Sequence, residues 1–325
     1  MKVLFVLRDP GRGGKSVEEI YKGLSLDLQK DIDIEWYTYR DDCTVFQNIR
    51  HIYKASPHLV HITSDLYWIC LLLPRMKTVL TIHDIGRYLG LKGLKKWMYK
   101  QIYIFWPAIK ANAIIVVSEF TKNELVRVLS RGVMQKVIVI HNPVPTLFYD
   151  HPFTSPPGRN VVLQVGTGDH KNLELVIRAI AALPYTLNIV GALTEKQKKL
   201  LCAYSIQYHA IQNITYEDVY KLYVSSDVVT FISQYEGFGM PVIEAQATGR
   251  PIIISRQAAL PEIAGFGAHY INSINDIEEV HQALVKIMED KDYRELLVRN
   301  GLENVRRFSR DRIVGEYLKL YTSLF

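Results

Sequence analysis

The sequence predicts an α/β protein made of two doubly wound, parallel-sheet domains. Short apolar runs alternate with helix-period segments along all 325 residues, and one breaker-rich stretch splits the runs into two series. Strands that are apolar throughout, alternating with helices, belong to parallel sheets covered on both faces. The length also exceeds the ~250–300 residues at which single cores stop growing, and the 48% hydrophobic content can fill two.

In the first series the runs are Val3–Leu7, Ile34–Tyr39, Leu59–Thr63, Thr78–Ile82, Ala113–Val117 and Val137–Ile140. In the second they are Val161–Val165, Leu187–Val190, Val228–Ile232, Ile252–Ile254 and His269–Ile271. Between them lies His151-Pro-Phe-Thr-Ser-Pro-Pro-Gly-Arg-Asn160, the expected linker. The expected domains are therefore 1–153 and 154–310. Ligands of such folds sit at the carboxyl ends of the strands.

Composition narrows the classes. No run approaches the ~20 apolar residues of a membrane span. Val3–Leu7 ends at Arg8-Asp9, too soon for a signal-peptide core. Cys43, Cys70 and Cys202 form neither a metal nor a disulfide pattern and are expected to be reduced. These features point to a soluble, cytoplasmic protein. Through Asp150 there are 21 Lys and Arg against 14 Asp and Glu, so the first half holds the whole basic excess. That excess fits an anionic surface partner, or ordinary scatter on a solvated face.

The most informative segment is Glu236-Gly-Phe-Gly-Met-Pro-Val-Ile-Glu244. It follows a strand and opens a helix. Pro241 suits the first helical turn, and Gly249 marks the stop after Ala247. Backbone N–H groups at such a helix start form an anion site. An anion site between two carboxylates suits a ligand that is anionic at one end and rich in hydroxyls elsewhere, as a sugar nucleotide is.

Three other loops follow strands. Gly166-Thr-Gly-Asp-His-Lys-Asn172 precedes a helix through about Leu183, and Lys171 stands at the expected helix start. A cation there opposes the helix dipole by ~0.3–1 kcal/mol, which an anion beside it would relieve. His83-Asp84 ends the fourth run, as a site residue or as a structural hydrogen bond. Asp9-Pro-Gly-Arg-Gly-Gly-Lys-Ser16 imitates a triphosphatase phosphate loop, but Asp9 stands where that motif needs a glycine. The alternatives are a plain turn and a Gly13-Gly14 backbone approaching a ligand. Finally, 90–112 reads as a basic, aromatic helix. Lys92, Lys95, Lys96, Lys100 and Tyr103 share one face; Leu94, Met98, Ile102, Phe105 and Ile109 share the other. The apolar face would pack on its own sheet, or the helix would meet anionic lipid.

Together these residues resemble glycosyltransferase family 4, retaining enzymes of the GT-B fold, in which two Rossmann-like domains face a cleft. Glu236 and Glu244 match its E-x7-E signature. Gly249-Arg-Pro-Ile-Ile-Ile-Ser255, Ala259-Leu-Pro-Glu262, Ser118-Glu-Phe-Thr121 and His141-Asn-Pro143 are similar to the family as well. The resemblance implies roles. Glu244 would hold ribose hydroxyls and Glu236 hydroxyls of the transferred sugar. The backbone of Gly237, Phe238, Gly239 and Met240 would face sugar and diphosphate. Lys171 would neutralise the leaving diphosphate, with Gly166 and His170 beside it, His83 next to the sugar, and Gly13 and Gly14 near the phosphates. The family usually places an arginine near this lysine, where the chain has His170; Arg12 or Lys15 could supply the missing charge. A last helix, 311–325, would cross back to the first domain. The implied activity is metal-independent, same-face sugar transfer without a cofactor. The substrate would be a UDP- or GDP-sugar and the acceptor a glycan or lipid-linked molecule, in cell-surface polysaccharide synthesis. The enzyme would sit peripherally on the inner face of the membrane and bind no nucleic acid. The alternatives are a non-catalytic sugar-nucleotide-binding protein of the same fold, and a phosphate-loop triphosphatase.

Overall fold

A computed structural model of the chain describes residues 1–9, 15–149 and 158–325. Among them, Met1–Pro143 with Ser309–Phe325 form one compact unit, and Val144–Phe308 form a second.

The first unit holds a six-stranded sheet of β1 (Lys2–Leu7), β2 (Asp33–Thr38), β3 (Leu59–Ile62), β4 (Lys77–Ile82), β5 (Ala113–Val116) and β6 (Val137–Val139). Their order is β2-β1-β3-β4-β5-β6, all parallel. The second unit holds β7 (Val161–Val165), β8 (Thr186–Val190), β9 (Tyr208–Ile211), β10 (Val228–Phe231), β11 (Ile252–Ser255) and β12 (His269–Ile271). Their order is β12-β11-β10-β7-β8-β9, again parallel. In such sheets ligands bind where the strand order reverses. The reversal lies between β1 and β3 in the first unit and between β7 and β10 in the second. β9, absent from the sequence expectation, is an edge strand with Tyr208, His209 and Ala210 exposed. One partner strand and no buried face leave it no apolar run to read.

The boundary falls before 144, earlier than the expected 153/154, because the intervening turn belongs to the second core. Phe148 is buried with its ring 5.3–5.5 Å from those of Tyr216, Tyr220 and Tyr223. The Val144 N–H donates to the Phe308 carbonyl at 2.9 Å, joining the unit's entry to its exit. After the undescribed stretch, the buried Asp227 carboxylate accepts from the N–H groups of Gly158, Arg159 and Val161 at 2.5–2.9 Å.

The expected helix over 90–112 is broken. Gly93–Tyr99 and Trp106–Lys110 are α-helical, and Lys100–Phe105 is a π-helix. Pro107 cannot donate to the Tyr103 carbonyl, and the Trp106 N–H instead reaches Gln101, five residues back. The wider turn changes which side chains face inward. Ile104 and Ala108 enter the core, whereas Leu94 (71% exposed), Met98, Ile102 and Ile109 stay in solvent with Trp97 and Trp106. The expected apolar face therefore does not pack on the sheet; only Phe105 of that face joins the core.

The helix Arg310–Ser323 closes the first unit by burying Ile313, Tyr317 and Tyr321. Beneath it His61 is fully buried between the Tyr321 hydroxyl (Nδ1, 2.6 Å) and Thr81 Oγ1 (Nε2, 2.7 Å). Tyr21 also donates to Thr81 Oγ1, at 2.9 Å. Burial, reinforced by the nearby His83, pushes the His61 pKa down to about 3. The native imidazole thus stays neutral while the unfolded chain takes up its proton near 6.5. Between those values the unfolded state binds the extra proton, so stability rises with pH and is lost as pH is lowered, by up to ~1.4 kcal/mol per pH unit from this group. Replacing His61 with Gln, which keeps a donor and an acceptor, is expected to flatten that slope in urea unfolding followed across the window. Equal slopes in the two proteins would show that His61 does not carry the linkage.

Candidate functional site

The reversal point of the second sheet brings together two loops, one after β7 and one after β10. The first passes through Gly166 (φ 92°) and a 3-10 turn, Asp169–Lys171. Asn172 follows in the left-handed region and leads into the helix Leu173–Ile180. Lys171 thus ends a turn one residue before the helix, and the helix is shorter than the sequence suggests. Gly166 has two roles here. Its φ suits glycine, and a Cβ there would stand 3.0 Å from Lys171 Cγ, so the lysine stem lies over it. The buried Gln164 amide holds the carbonyls of Gly166 and Lys171 at 3.2 and 3.1 Å, and Thr230 fixes the other end of that amide at 2.7 Å.

The anion that the Lys171 position calls for is Glu236. Lys171 Nζ lies 2.5 Å from Glu236 Oε1, and both side chains are largely buried. Ser233 Oγ donates to the same carboxylate oxygen at 2.6 Å, and the Phe231 ring lies 4.5 Å beneath the ammonium. The loops are also tied by backbone. The His170 carbonyl accepts from the Gln234 N–H at 2.8 Å and from Ser233 Oγ at 3.1 Å. His170 therefore contributes its carbonyl to the join, while its residue as a whole is exposed.

Beyond Glu236, Gly239 takes φ 101° at the start of the helix Met240–Ala247. No side chain caps this helix. A Cβ on Gly239 would meet Leu260 at 2.7 Å. Phe238 is buried edge-on to Phe308, 5.7 Å between centroids, which anchors the turn. Gly237 precedes it in the same loop, and Met240 opens the helix with Pro241 in its first turn. Gly249 takes φ 67° after the helix ends, as its position suggests.

Glu244 lies one turn into that helix and is 3% exposed. Tyr216 donates to its Oε1, and Tyr223 donates to its Oε2 at 2.7 Å. Burial raises its pKa above the ordinary glutamate value; the two tyrosine bonds and the charge of Lys171 act in the opposite direction. The fully buried Arg250 steadies this arrangement from behind. Its guanidinium donates to the carbonyls of Tyr223 and Val224 at 3.0 and 2.8 Å. The two glutamates therefore differ: one is an ion-pair partner, the other a buried carboxylate held by neutral hydroxyls.

His83 belongs to the first unit, where it follows β4. Its Nε2 lies 2.9 Å from the Thr63 carbonyl, so it carries its proton there, and burial lowers its pKa. Asp84 Oδ1 accepts from the Gly86 N–H at 2.7 Å. Gly13 and Gly14 lie outside the described residues, as does Arg12. Ser233, Tyr216 and Tyr223 were not among the expected site residues; the only available cue was that Ser233 directly follows the Val228–Ile232 run, three residues before Glu236.

Comparison with known proteins accords with this geometry. A profile described as Glycosyltransferase Family 4 matches residues 29–147, and one described as Glycosyl transferases group 1 matches residues 148–304. An O-antigen chain mannosyltransferase B of Escherichia coli is 25% identical over 76% of this chain and 71% of its own. An MMP alpha-(1->4)-mannosyltransferase of Mycolicibacterium hassiacum is 24% identical over 73% of this chain and 58% of its own. Among solved structures, Anabaena HepE in complex with UDP and glucose superimposes with a TM-score of 0.81 at 15% identity, covering 99% of this chain and all of its own. Two profiles that meet end to end across most of the sequence, on a pair of doubly wound parallel sheets, make this chain a GT-B glycosyltransferase of family 4.

Proposed function

We propose that the protein is a retaining glycosyltransferase that moves a hexose from a UDP- or GDP-sugar to a glycan or lipid-linked acceptor in cell-surface polysaccharide synthesis. The observation that carries this is the Lys171–Glu236 pair at the reversal point of the second sheet, beside a helix start with no side-chain cap. A diphosphate and a sugar together satisfy everything that this pair and the helix start offer. The diphosphate accepts from Lys171 and the helix N-terminus. Glu236, released from the lysine, then accepts sugar hydroxyls. Until that happens each charge neutralises the other, which avoids an unpaired charge in a largely buried site.

Glu244 takes the ribose hydroxyls in this scheme. Its two oxygens are already engaged, so the half-buried Tyr216 has to yield or share Oε1, while Tyr223 stays. The leaving diphosphate gains negative charge as the glycosidic bond breaks, and donors preorganised toward it lower the barrier. A double displacement needs a carboxylate beneath the anomeric carbon. Glu236 and Glu244 are both committed to hydroxyls, so same-face attack fits better, with the leaving phosphate oxygen helping to accept the acceptor's proton. Lys171 and the helix start supply the positive charge, and no metal or cofactor takes part. The O-antigen role of the Escherichia coli relative supports the polysaccharide setting.

Lys171→Ala and Glu244→Gln are each expected to cut turnover by on the order of 10²–10³, the usual loss for one transition-state donor or clamp. Glu244→Gln removes a buried charge yet keeps partners for both tyrosines. Its thermal midpoint at neutral pH is therefore expected to match or exceed that of the parent. Undiminished turnover in both variants would refute the assignment. Donor binding without turnover in the parent protein would favour a non-catalytic sugar-nucleotide-binding protein.

We also place the enzyme on the inner face of a membrane. Among the described residues no helix is long and apolar enough to cross one. The broken 93–110 segment, however, exposes Leu94, Trp97, Met98, Ile102 and Trp106 close in sequence to Lys92, Lys95, Lys96 and Lys100. Exposed apolar side chains among lysines suit an anionic interface. Changing those four lysines to glutamate is expected to abolish cosedimentation with phosphatidylglycerol vesicles. Unchanged cosedimentation would exclude this surface.

A further inference from the structure

Tyr216, Tyr220 and Tyr223 stand at i, i+4 and i+7 of the helix Tyr216–Ser225 and so share one face. Phe148 packs against all three rings. Two of them end on the Glu244 carboxylate, Tyr223 at Oε2 and Tyr216 at Oε1. Their places differ. Tyr223 lies two turns into the helix and is fully buried, whereas Tyr216 is the first helical residue and is half-buried. Of the two tyrosines on the carboxylate, only Tyr216 reaches solvent.

Tyr216 can also leave without cost to the helix. Thr215 caps it by accepting from the Asp218 N–H at 3.1 Å, so the helix start is held independently of the Tyr216 hydroxyl. A rotation of the Tyr216 side chain frees Oε1 and leaves the backbone in place.

Hydrogen-bond accounting gives the consequence. A buried carboxylate has to keep its partners. Tyr216 fills Oε1 in the free protein, and a ribose hydroxyl would fill it in the complex. Binding then exchanges one hydroxyl–carboxylate bond for another and gains little from the exchange. The same ribose is carried by the sugar donor and by the nucleoside diphosphate left after transfer, so both are weakened alike. Uniform weakening leaves the chemical step untouched, raises the donor concentration needed and lets the product depart sooner.

We propose that Tyr216 is a built-in competitor of the nucleotide ribose: it yields Glu244 Oε1 to an incoming ribose and retakes it as the nucleoside diphosphate leaves. This rests on the transferase reading above. It adds that Tyr216 yields rather than shares, and that the exchange sets nucleotide affinity.

The test is calorimetric titration of the full chain and of its Tyr216→Phe variant with UDP and GDP, each beside its 2′,3′-dideoxy counterpart. Phenylalanine keeps the ring on Phe148 and removes only the hydroxyl. In the parent, loss of the ribose hydroxyls is expected to leave affinity nearly unchanged. In Tyr216→Phe the intact nucleotide is expected to bind about tenfold more tightly than in the parent, the scale of one charge-assisted hydrogen bond. The dideoxy form is expected to bind both proteins equally. The four affinities form a double-mutant cycle between the tyrosine hydroxyl and the ribose hydroxyls. A merely structural role would shift both nucleotide forms alike and leave no coupling. The proposal alone is overturned if a nucleotide binds and Tyr216→Phe holds it no more tightly than the parent, or if the dideoxy form gains equally. The parent decides even without the variant, because a loss of about tenfold on removing the ribose hydroxyls would show that they gain a full bond and meet no competitor. Failure of both UDP and GDP to bind either protein would instead refute the nucleotide site itself, and this proposal with it.

Discussion

The ion pair between Lys171 and Glu236 is the interaction on which the second unit's loops depend. Two opposite charges, both largely buried, cannot be left unpaired without a large cost. Everything around them works to keep them in register. Gly166 makes room for the lysine stem, Gln164 fixes the carbonyls on either side of the turn, and Ser233 bonds to both Glu236 and the His170 carbonyl. The strand order then matters. β7 and β10 are hydrogen-bonded neighbours although 62 residues of sequence separate their last and first residues, Val165 and Val228. Only their adjacency brings the two loops within ion-pair reach.

The site neutralises itself in this structure. Under the proposed function a diphosphate would enter by exchanging one ionic partner for another, without meeting a naked charge. Glu244 follows the same logic with neutral partners. Its carboxylate is buried and would be costly if bare, and Tyr216 and Tyr223 satisfy it. The two glutamates are each kept satisfied in a different way, one by an ammonium and one by two hydroxyls, and under the proposed function both would bind ligand hydroxyls.

Much of this was legible in the residues. The uniformly apolar strands revealed two parallel sheets, and the glycines at 166 and 239 marked turns that take positive φ in the structure. Lys171 at the expected helix start suggested a ligand anion beside it; in the structure Lys171 ends a 3-10 turn and its anionic partner is the Glu236 carboxylate. What stayed hidden has physical causes. The anion comes from a loop 65 positions away, a contact that no local period encodes. β9 is an exposed edge with no apolar run. The 90–112 pattern has a regular apolar stripe, but Pro107 and the π-turn before it rotate the buried face onto Ile104 and Ala108. Tyr216 and Tyr223 act on Glu244 from a neighbouring helix, and tyrosines there read equally well as ordinary core.

The claim that Lys171 exchanges partners can be tested most directly by a crystal structure of the full chain with UDP bound. The exchange requires Lys171 Nζ within hydrogen-bond distance of a diphosphate oxygen, with Glu236 released beyond ion-pair range. UDP bound with Lys171 still on Glu236 and not touching the diphosphate would contradict it.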